Sequence, residues 1–481
     1  VEAGGRHHTR RDSRAMAGEG AGAPVELVRS RRRGFGGTSG HWQPDTGLRL
    51  RRLDAADLVA RPGRDDVGWP IGAEELERWY VHAFEAFGFS ADVEPALWFG
   101  PGDPTPLAAP GGPELAMFRI AEHDVYTRRY AEVSASPRIR VALESAVTGI
   151  HTSADDARLV ERLTVTTRAG RAFGVRARQV VLATGGIDNP RLLLASPGST
   201  GAGVGNEHDN VGRWFQDHLA VDSGVLVPRP GVDLHAELFA IQRDTPRSRF
   251  QTMLWLGDRT LAEHELLNAV AWIVPVPPAY ITPGVGALRR LRAGRHTAPR
   301  GPIAEPLGEM TRDAGSVGRY VADRLTGRAA APPRLSLRYF TEQRPDRGSR
   351  VMLSDRLDPY GIPRAKVDWH VAAEDLTLIR RHQDLLAAGL EARGVATIED
   401  RYDAATHRSP VMPMYHHMST TRMHPDPRQG VVDPDCRVHS THNLHVAGSS
   451  VFPTGSYVNP TLTILALAHR LARQLRGQLG R

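Results

Sequence analysis

The stretch that most limits the possible folds is the apolar run Val180-Val181-Leu182-Ala183, which leads directly into Thr184-Gly185-Gly186. A continuous apolar run that ends in small residues is typical of a parallel strand buried on both faces of its sheet. Further β-type runs lie at 139–152, 162–167 and 173–186, and a second group at 334–340, 349–355 and 365–371. Amphipathic helices are predicted at 74–89 and 461–479. The mixture indicates an α/β fold, with irregular excursions expected at 6–33 and 291–318.

Composition excludes several function classes. The 481 residues contain 61 Lys and Arg against 54 Asp and Glu, and Lys366 is the only lysine. The basic runs lack interleaved aromatic residues, so nucleic-acid binding is not expected. The only cysteine, Cys436, excludes an internal disulfide and a CxxC pair and is interpreted as a core or loop residue. The most apolar stretch, 268–286, carries four prolines and predicts no membrane span. The sequence therefore predicts a cytoplasmic protein.

Several motifs occur in a fixed order along the chain. They are "RGFGGTSGHW" (33–42), "VVLATGGIDNPRLLLAS" (180–196), "GVGNEHDNVGRWFQDHL" (203–219), "SRVMLSDRLDPYGIPRAKVDW" (349–369) and the segment 416–472. Together they resemble the glucose–methanol–choline (GMC) flavoprotein oxidoreductases over nearly the whole chain. The resemblance implies a two-domain α/β architecture. A Rossmann-like FAD-binding domain with a mixed sheet would comprise 1–219 and 410–481, and a substrate-binding domain with an antiparallel sheet would comprise 220–409.

The resemblance also implies a catalytic pair. Flavin-dependent alcohol oxidation needs a base for the hydroxyl proton while hydride leaves for flavin N5, and a polar group that holds the oxygen. Matching "HHMSTTRM" (416–423) to the family pattern H-x-x-G-T-x-R-M places the base at His416 and its partner at Asn459. His417 is the rival for the base. Ser419 replaces the usual glycine, which predicts a less tight loop.

The same motifs imply a set of cofactor contacts. The residues that match family positions around FAD are Glu2, Gly36, Gly37, Thr38, His41, Trp42, Val147, Ala183, Thr184, Gly185, Gly448, Ser449, Asn459, Pro460 and Thr461. The loop "GGTSGHW" resembles that of pyranose-oxidase-like proteins, where the matching histidine is bonded covalently to the flavin. His41 could therefore carry the flavin or only pack against it. Pro460 suits the first turn of a helix whose positive end would stabilise a reduced flavin.

The opening residues "VEAGG" look like the end of a strand. In a dinucleotide-binding unit, a G-x-G-x-x-G turn precedes the ribose-binding acid by about 20 residues. Glu2 matches that acid, and "GEGAGAP" (18–24) follows no strand that could supply the turn. We therefore expect a Rossmann-like unit that lacks its first strand, phosphate turn and helix. Such a chain alone is expected to bind FAD poorly and to aggregate.

Four histidines near the C-terminus, His424, His439, His442 and His445, raise the possibility of a metal site. On a predicted strand, His439 and His442 would face opposite sides, and no cysteine or carboxylate completes a site at the usual spacing. No metal is expected.

The expected function is FAD-dependent oxidation of a CH–OH group of a sugar or glycoside, closest to bacterial pyranose and C-glycoside oxidases, with oxygen or a quinone as acceptor. Two alternatives stay open. One is a quinone- or cytochrome-linked dehydrogenase of a sugar, sugar acid or other alcohol. The other is an inactive, truncated chain.

Overall fold

The structure is a computed structural model. It describes residues 1–41, 47–61, 67–89, 113–121, 129–198, 200–234, 239–245, 248–276, 304–326, 334–400 and 411–480, together with isolated positions such as Leu107 and Tyr126.

The α-helices are α1 (Arg10–Ala15), α2 (Ala55–Leu58), α3 (Ala73–Ala86), α4 (Tyr130–Ala135), α5 (Gly185–Ala195), α6 (Gly257–Glu263), α7 (Ala304–Arg312), α8 (Ala314–Thr326), α9 (Ala373–Ala392) and α10 (Thr461–Gln478).

The strands in the first half are β1 (Glu19–Gly22), β2 (Leu48–Leu50), β3 (Glu114–Ala121), β4 (Ser145–Thr152), β5 (Val160–Thr167), β6 (Ala172–Val175), β7 (Val180–Leu182) and β8 (Leu219–Pro228). Those that follow are β9 (Gln242–Thr245), β10 (Ser248–Trp255), β11 (Ala269–Val276), β12 (Arg334–Thr341), β13 (Arg350–Leu357), β14 (Pro363–Trp369), β15 (Ala396–Asp400), β16 (Met412–Pro413) and β17 (Leu444–Val446).

The largest sheet among the described residues is antiparallel and runs in the order β15-β8-β12-β11-β10-β3-β2, with β9 beside β10 and β16 beside β8. Its longest register joins β11 to β12, from Ala269 opposite Thr341 to Val276 opposite Arg334. The predicted antiparallel sheet is confirmed.

Smaller sheets form the other side of the fold. β7 pairs in parallel with β17, from Val180 opposite Leu444 to Leu182 opposite Val446. β4, β5 and β6 form an antiparallel sheet, whereas β1 joins β14 and β13 in a mixed one. The parallel pair and the surrounding helices confirm the α/β class.

Two amphipathic helices close the core. The buried residues of α3 are Leu76, Tyr80, Ala83 and Phe84, at the spacing of one helix face. α10 packs against it and buries Leu462, Ala466, Leu467 and Leu471. Tyr80 Oη lies 2.8 Å from Thr463 Oγ1, so the buried hydroxyls satisfy each other across the contact. Both helices agree with their predictions.

The expectation of an irregular segment over 6–33 is wrong in two places. Thr9 and Asp12 form a capping box that starts α1, with Thr9 N donating to Asp12 Oδ2 at 2.8 Å. β1 then pairs in parallel with β14, from Glu19 opposite Lys366. In the second expected excursion, α7 and α8 begin at Ala304 and Ala314, while 291–303 lies outside the described residues.

The apolar run at 180–183 is not buried on both faces as predicted, because Val181 is 41% exposed in the structure. The predicted domain boundary at residue 219 also does not follow the sheets. β2 and β3 come from the predicted FAD domain but belong to the large antiparallel sheet, and β13 and β14 come from the predicted substrate domain but pair with β1. The two-domain division by residue number stays a prediction.

Cys436 is buried, in agreement with its interpretation as a core residue. Among the described residues, no helix combines the length and the apolar character needed to cross a bilayer.

Candidate active site

His416 and Asn459 meet at a small internal cavity. Asn459 Nδ2 lies 3.2 Å from His416 Nε2, and both side chains line a cavity of about 30 Å³, roughly the volume of one water molecule. Apolar side chains supply much of the wall, namely Phe118, Met253, Val270, Phe340 and Met414. The two residues predicted as a pair from motifs 43 positions apart are thus within hydrogen-bond distance in a mostly apolar site.

A second histidine, His218, determines which nitrogen of His416 carries the proton. His218 Nε2 lies 3.1 Å from the carbonyl oxygen of Gly455, and its Nδ1 lies 2.9 Å from His416 Nδ1. A carbonyl oxygen only accepts, so His218 must donate through Nε2, and a neutral imidazole then accepts at Nδ1. His416 therefore donates through Nδ1, and its unprotonated Nε2 accepts from Asn459 Nδ2 at 3.2 Å.

Burial keeps both imidazoles neutral. It lowers the pKa of His218 to about 4. It also lowers the pKa of His416 well below its ordinary value of 6.5, and the neighbouring His218 and His417 act in the same direction. The Nε2 atom of His416 is consequently unprotonated at neutral pH, as a general base must be.

Asp217 fixes the backbone of the same loop. Its carboxylate accepts from Tyr415 N at 2.9 Å and from His416 N at 2.8 Å. Burial raises the pKa of Asp217 to about 7, although these backbone N–H groups oppose the rise. Asp217 and His218 precede β8, so one dipeptide holds both the backbone and the ring of His416. Sequence reasoning placed "FQDHL" only within a family motif and assigned these residues no role.

His417 points elsewhere. Its ring is 5.7 Å from that of Phe215, and burial lowers its pKa to about 3. Its Nε2 atom is buried without a hydrogen-bond partner, and it does not line the cavity.

The loop after these histidines is tight despite its serine. Ser419 has a φ of +71°, a conformation that glycine adopts more readily. Ser419 N donates to Ser449 O at 3.1 Å, and Thr421 N donates to Ser450 O at 2.8 Å. The prediction of a less tight loop is therefore wrong, because these bonds hold the serine in the strained conformation.

The carboxyl ends of β7 and β17, called the cofactor cleft below, have the open backbone expected of a cofactor site. Ala183, Thr184 and Gly185 are exposed beyond β7, and Gly448 and Ser449 follow β17. A Cβ atom on Gly185 would meet nothing within 4 Å, and one on Gly448 would meet only Asn189 Nδ2 at 3.9 Å. Ligands of α/β folds bind at the carboxyl ends of the strands. The open backbone here fits FAD.

One residue joins the two sides of this cleft and was missed from the sequence. Asn189 Oδ1 accepts from Thr184 N and Thr184 Oγ1 at 2.8 and 2.7 Å. Its Nδ2 donates to Ala447 O at 3.2 Å and to Ser450 Oγ at 2.9 Å. The signal available in the sequence was a polar amide, Asn189, two positions after the apolar Ile187 on the buried face of α5.

Glu2 lies beside the glycine-rich loop. Its Oε1 accepts from Gly4 N at 2.7 Å and Gly34 N at 2.8 Å. Burial raises the pKa of Glu2, while these N–H groups oppose the rise. Gly36 and Gly37 follow with φ of +84° and +54°, and a Cβ on Gly37 would meet nothing within 4 Å. The loop therefore offers open backbone beside a carboxylate.

The remaining predicted cofactor residues are placed as follows. Thr38 lies in a 3₁₀ turn, Gly37–His41, and the side chain of His41 and the whole of Trp42 lie outside the described residues. Covalent attachment at His41 stays a prediction. Val147 lies on β4, which contacts Glu2 through Ser145 N donating to Glu2 O at 2.9 Å.

Pro460 and Thr461 start α10 directly after Asn459, and the first turn of α10 contains no acidic residue. Its positive end is therefore free to stabilise negative charge near the cavity.

The C-terminal histidines do not converge. His439 Nε2 is bonded to His424 O at 2.8 Å, His442 lies 3.6 Å from Asp156, and His445 is buried on β17. The strand predicted for this stretch is limited to 444–446. Within the described ranges, no group of three or more His, Cys, Asp or Glu residues could hold a metal ion.

Parts or most of the chain are similar to known proteins. Residues 345–468 match the C-terminal family model of the GMC oxidoreductases. The chain is 26% identical over 482 residues to paromamine 6'-oxidase of Streptomyces fradiae, covering 92% of this chain and 77% of that protein. It is 31% identical over 314 residues to C-glycoside 3-oxidase of Arthrobacter globiformis, covering 65% of this chain and 49% of that protein. The chain thus spans about half the length of this second relative.

The fold is similar to that of a solved fungal aryl-alcohol oxidase, with a TM-score of 0.54 and 16% identity over 100% of this chain and 94% of that one. At this identity the likeness supports the fold alone. Family model, relatives and fold agree with the motifs and with the cleft that fits FAD. Residues 345–468 thus form the C-terminal domain of a GMC oxidoreductase, and the chain is an FAD-dependent oxidoreductase that acts on alcohol groups.

Proposed function

We propose that this protein oxidises a CH–OH group of a sugar or glycoside, with His416 as the general base and Asn459 as its partner. The observation that carries the proposal is the contact between His416 Nε2 and the Asn459 amide nitrogen, 3.2 Å apart at a small cavity. The sugar class is supported by the two relatives, an oxidase named for paromamine and one named for C-glycosides.

His416 and Asn459 have separate roles in the proposed reaction. A substrate hydroxyl that enters the cavity donates its proton to His416 Nε2, while its oxygen accepts from Asn459 Nδ2. His218 accepts from His416 Nδ1 throughout, so the ring keeps its orientation as it gains the proton. The apolar side chains in the wall lower the local dielectric constant, which strengthens these polar contacts.

The cofactor would be held by the open glycines at Gly37, Gly185 and Gly448, by Glu2, and by the start of α10. When bound, FAD supplies the two-electron acceptor that takes hydride from the alcohol carbon. The cofactor cleft is linked to the loop that carries the base, because Ser449 Oγ donates to the backbone carbonyl of His417, the residue after the base, at 2.7 Å. Cofactor site and base are therefore parts of one packed unit.

The proposal is tested by mixing the flavin-loaded protein with alcohols in the absence of oxygen and following the flavin absorbance. Methyl β-glucopyranoside and a C-glycoside are expected to bleach the flavin, whereas ethanol should not. Reduction by ethanol and benzyl alcohol, with none by any pyranoside, would overturn the sugar assignment. Admitting oxygen then identifies the acceptor, because an oxidase releases peroxide at the rate of reduction and a dehydrogenase requires a quinone.

A further inference from the structure

The wall of the catalytic cavity contains an arginine that the proposed chemistry does not use. Arg49 lies on β2 and lines the same cavity as His416 and Asn459. Its Nη2 atom is buried and has no hydrogen-bond partner in the structure. A buried guanidinium donor without a partner is costly, because the group loses its hydration and gains nothing in return.

No carboxylate compensates the charge of Arg49 among the described residues. Burial lowers the pKa of Arg49 to about 10, and no described acid acts in the opposite direction. Two other buried arginines, by contrast, each have a carboxylate partner. Arg31 Nη1 lies 2.6 Å from Asp188 Oδ2, and Arg191 Nη2 lies 2.8 Å from Asp358 Oδ2. Arg49 is thus a cation at a ligand cavity without a counter-charge from the part of the chain that the structure describes.

Neighbouring side chains hold Arg49 in place. Its Nε donates to Gln251 Oε1 at 2.8 Å, and Gln251 Nε2 donates in turn to Phe239 O at 2.8 Å. The guanidinium carbon lies 4.6 Å from the ring centroid of Trp272. These contacts occupy Nε and one face of the group but leave Nη2 unbonded, so the donor is pre-oriented before any ligand arrives.

We propose that Arg49 determines substrate specificity by binding a carboxylate of the substrate, which makes sugar acids the preferred substrates. This inference rests on the proposed alcohol oxidation at His416, and it adds the class of sugar. A carboxylate would give the guanidinium a charge-assisted hydrogen bond and the missing counter-charge. A cationic sugar would be repelled, so an amine such as the one for which the paromamine 6'-oxidase is named is disfavoured here.

The test compares methyl β-glucopyranoside with methyl β-glucuronide, which differ only in a hydroxymethyl against a carboxylate group. The flavin-loaded protein should show a kcat/KM for the glucuronide about 10- to 100-fold above that for the glucoside. Arg49→Gln should reduce this ratio to near or below one. Arg338→Gln, which removes an arginine paired with Asp222 elsewhere in the same sheet, should leave the ratio unchanged.

Binding without turnover separates this inference from the proposed function. Calorimetric titration with methyl β-glucuronide should show at least tenfold weaker binding to Arg49→Gln than to the unsubstituted protein. Binding that depends on Arg49 without oxidation of either probe would leave the carboxylate site standing and remove the proposed function. Oxidation with no preference for the glucuronide, or a ratio unchanged in Arg49→Gln, would overturn the inference. An equal loss of both activities, with the ratio kept, would assign Arg49 to the flavin and also overturn it.

Discussion

His416 owes its basic nitrogen to contacts on the side of the ring away from the cavity. Two hydrogen bonds form a relay. His218 Nε2 donates to the Gly455 carbonyl, and His218 Nδ1 accepts from His416 Nδ1. Reversal of any link would put the proton of His416 on Nε2, where it could not accept the proton of an alcohol. The residue that determines this tautomer is 198 positions away in sequence, so no local motif reveals it.

Replacement of His218 tests the tautomer directly. His218→Leu should lower the rate of flavin reduction by about 10- to 100-fold, because His416 Nδ1 loses its acceptor. His218→Asn can keep an acceptor oxygen near the same place and should recover part of the rate. The pH profile provides a second readout. Since burial holds the pKa of His416 well below 6.5, protonation of this ring should not lower kcat/KM of the unsubstituted protein as pH falls from 8 to 6.

In His218→Leu the rate should be lower over the whole pH range, because the two neutral tautomers of His416 interconvert without net uptake of a proton. If both variants kept the full rate, or if the Asn variant were no better than the Leu variant, His218 would have no positioning role.

Ser419 carries strain that a glycine would relieve. Its φ of +71° is unfavourable for a residue with a Cβ, and its Oγ is buried without a partner. Ser419→Gly should therefore raise the free energy of unfolding by about 1 kcal/mol, measured by chemical denaturation. Ser419→Ala is the matched control, since it removes the hydroxyl but keeps the strain. A loss of stability in the Gly variant would mean that the serine side chain stabilises the loop.

At the scale of elements, the parallel pair β7 and β17 has a buried asparagine near each end. Asn189 joins the carboxyl ends, where the cofactor cleft opens. Asn443 lies at the amino end of β17 and binds the start of β5, where its Oδ1 accepts from Val160 N and its Nδ2 donates to Val160 O, each at 2.9 Å. Both residues are buried and bonded to backbone, but only Asn189 adjoins the cleft.

These two buried asparagines provide a matched pair of variants. Asn189→Ala and Asn443→Ala should each lower the free energy of unfolding by about 1–3 kcal/mol, because each leaves buried backbone groups unpaired. Only Asn189→Ala should also weaken flavin retention, measured as the flavin-to-protein absorbance ratio after gel filtration. Equal flavin loss in the two variants would indicate that stability alone, and not the shape of the cleft, controls retention.

Elements with strong hydrophobic periodicity were predicted well from the sequence. Elements that are stabilised by pairing with distant parts of the chain were missed. α3 and α10 were predicted from the spacing of their apolar residues, and the β-type runs at 334–371 from their short alternating patterns. α1 and β1 were missed because their Arg- and Gly-rich stretch has little periodicity. Pairing of β1 with β14 across about 345 positions provides the ladder that β1 could not specify alone.

At the scale of the molecule, the sheets do not separate where the motifs suggested. β2 enters the large antiparallel sheet and brings Arg49 to the cavity, although its sequence lies far from the region predicted to bind substrate. The site is built from β2, the approach to β8, the loop at 414–416 and the start of α10. Family motifs include residues from the last three of these, but they assigned a role only to His416 and to Asn459 at the start of α10. Arg49 and His218 become recognisable only when the sheet assembles.

In the proposed mechanism His416, and not His417, removes the hydroxyl proton. The most direct measurement is the single-turnover rate of anaerobic flavin reduction by a pyranoside in His416→Asn and His417→Asn, each normalised to its flavin content. Loss of a general base predicts a decrease of about a hundredfold or more in His416→Asn and a change of only a few fold in His417→Asn. An unchanged rate in His416→Asn, or a large loss confined to His417→Asn, would contradict the account.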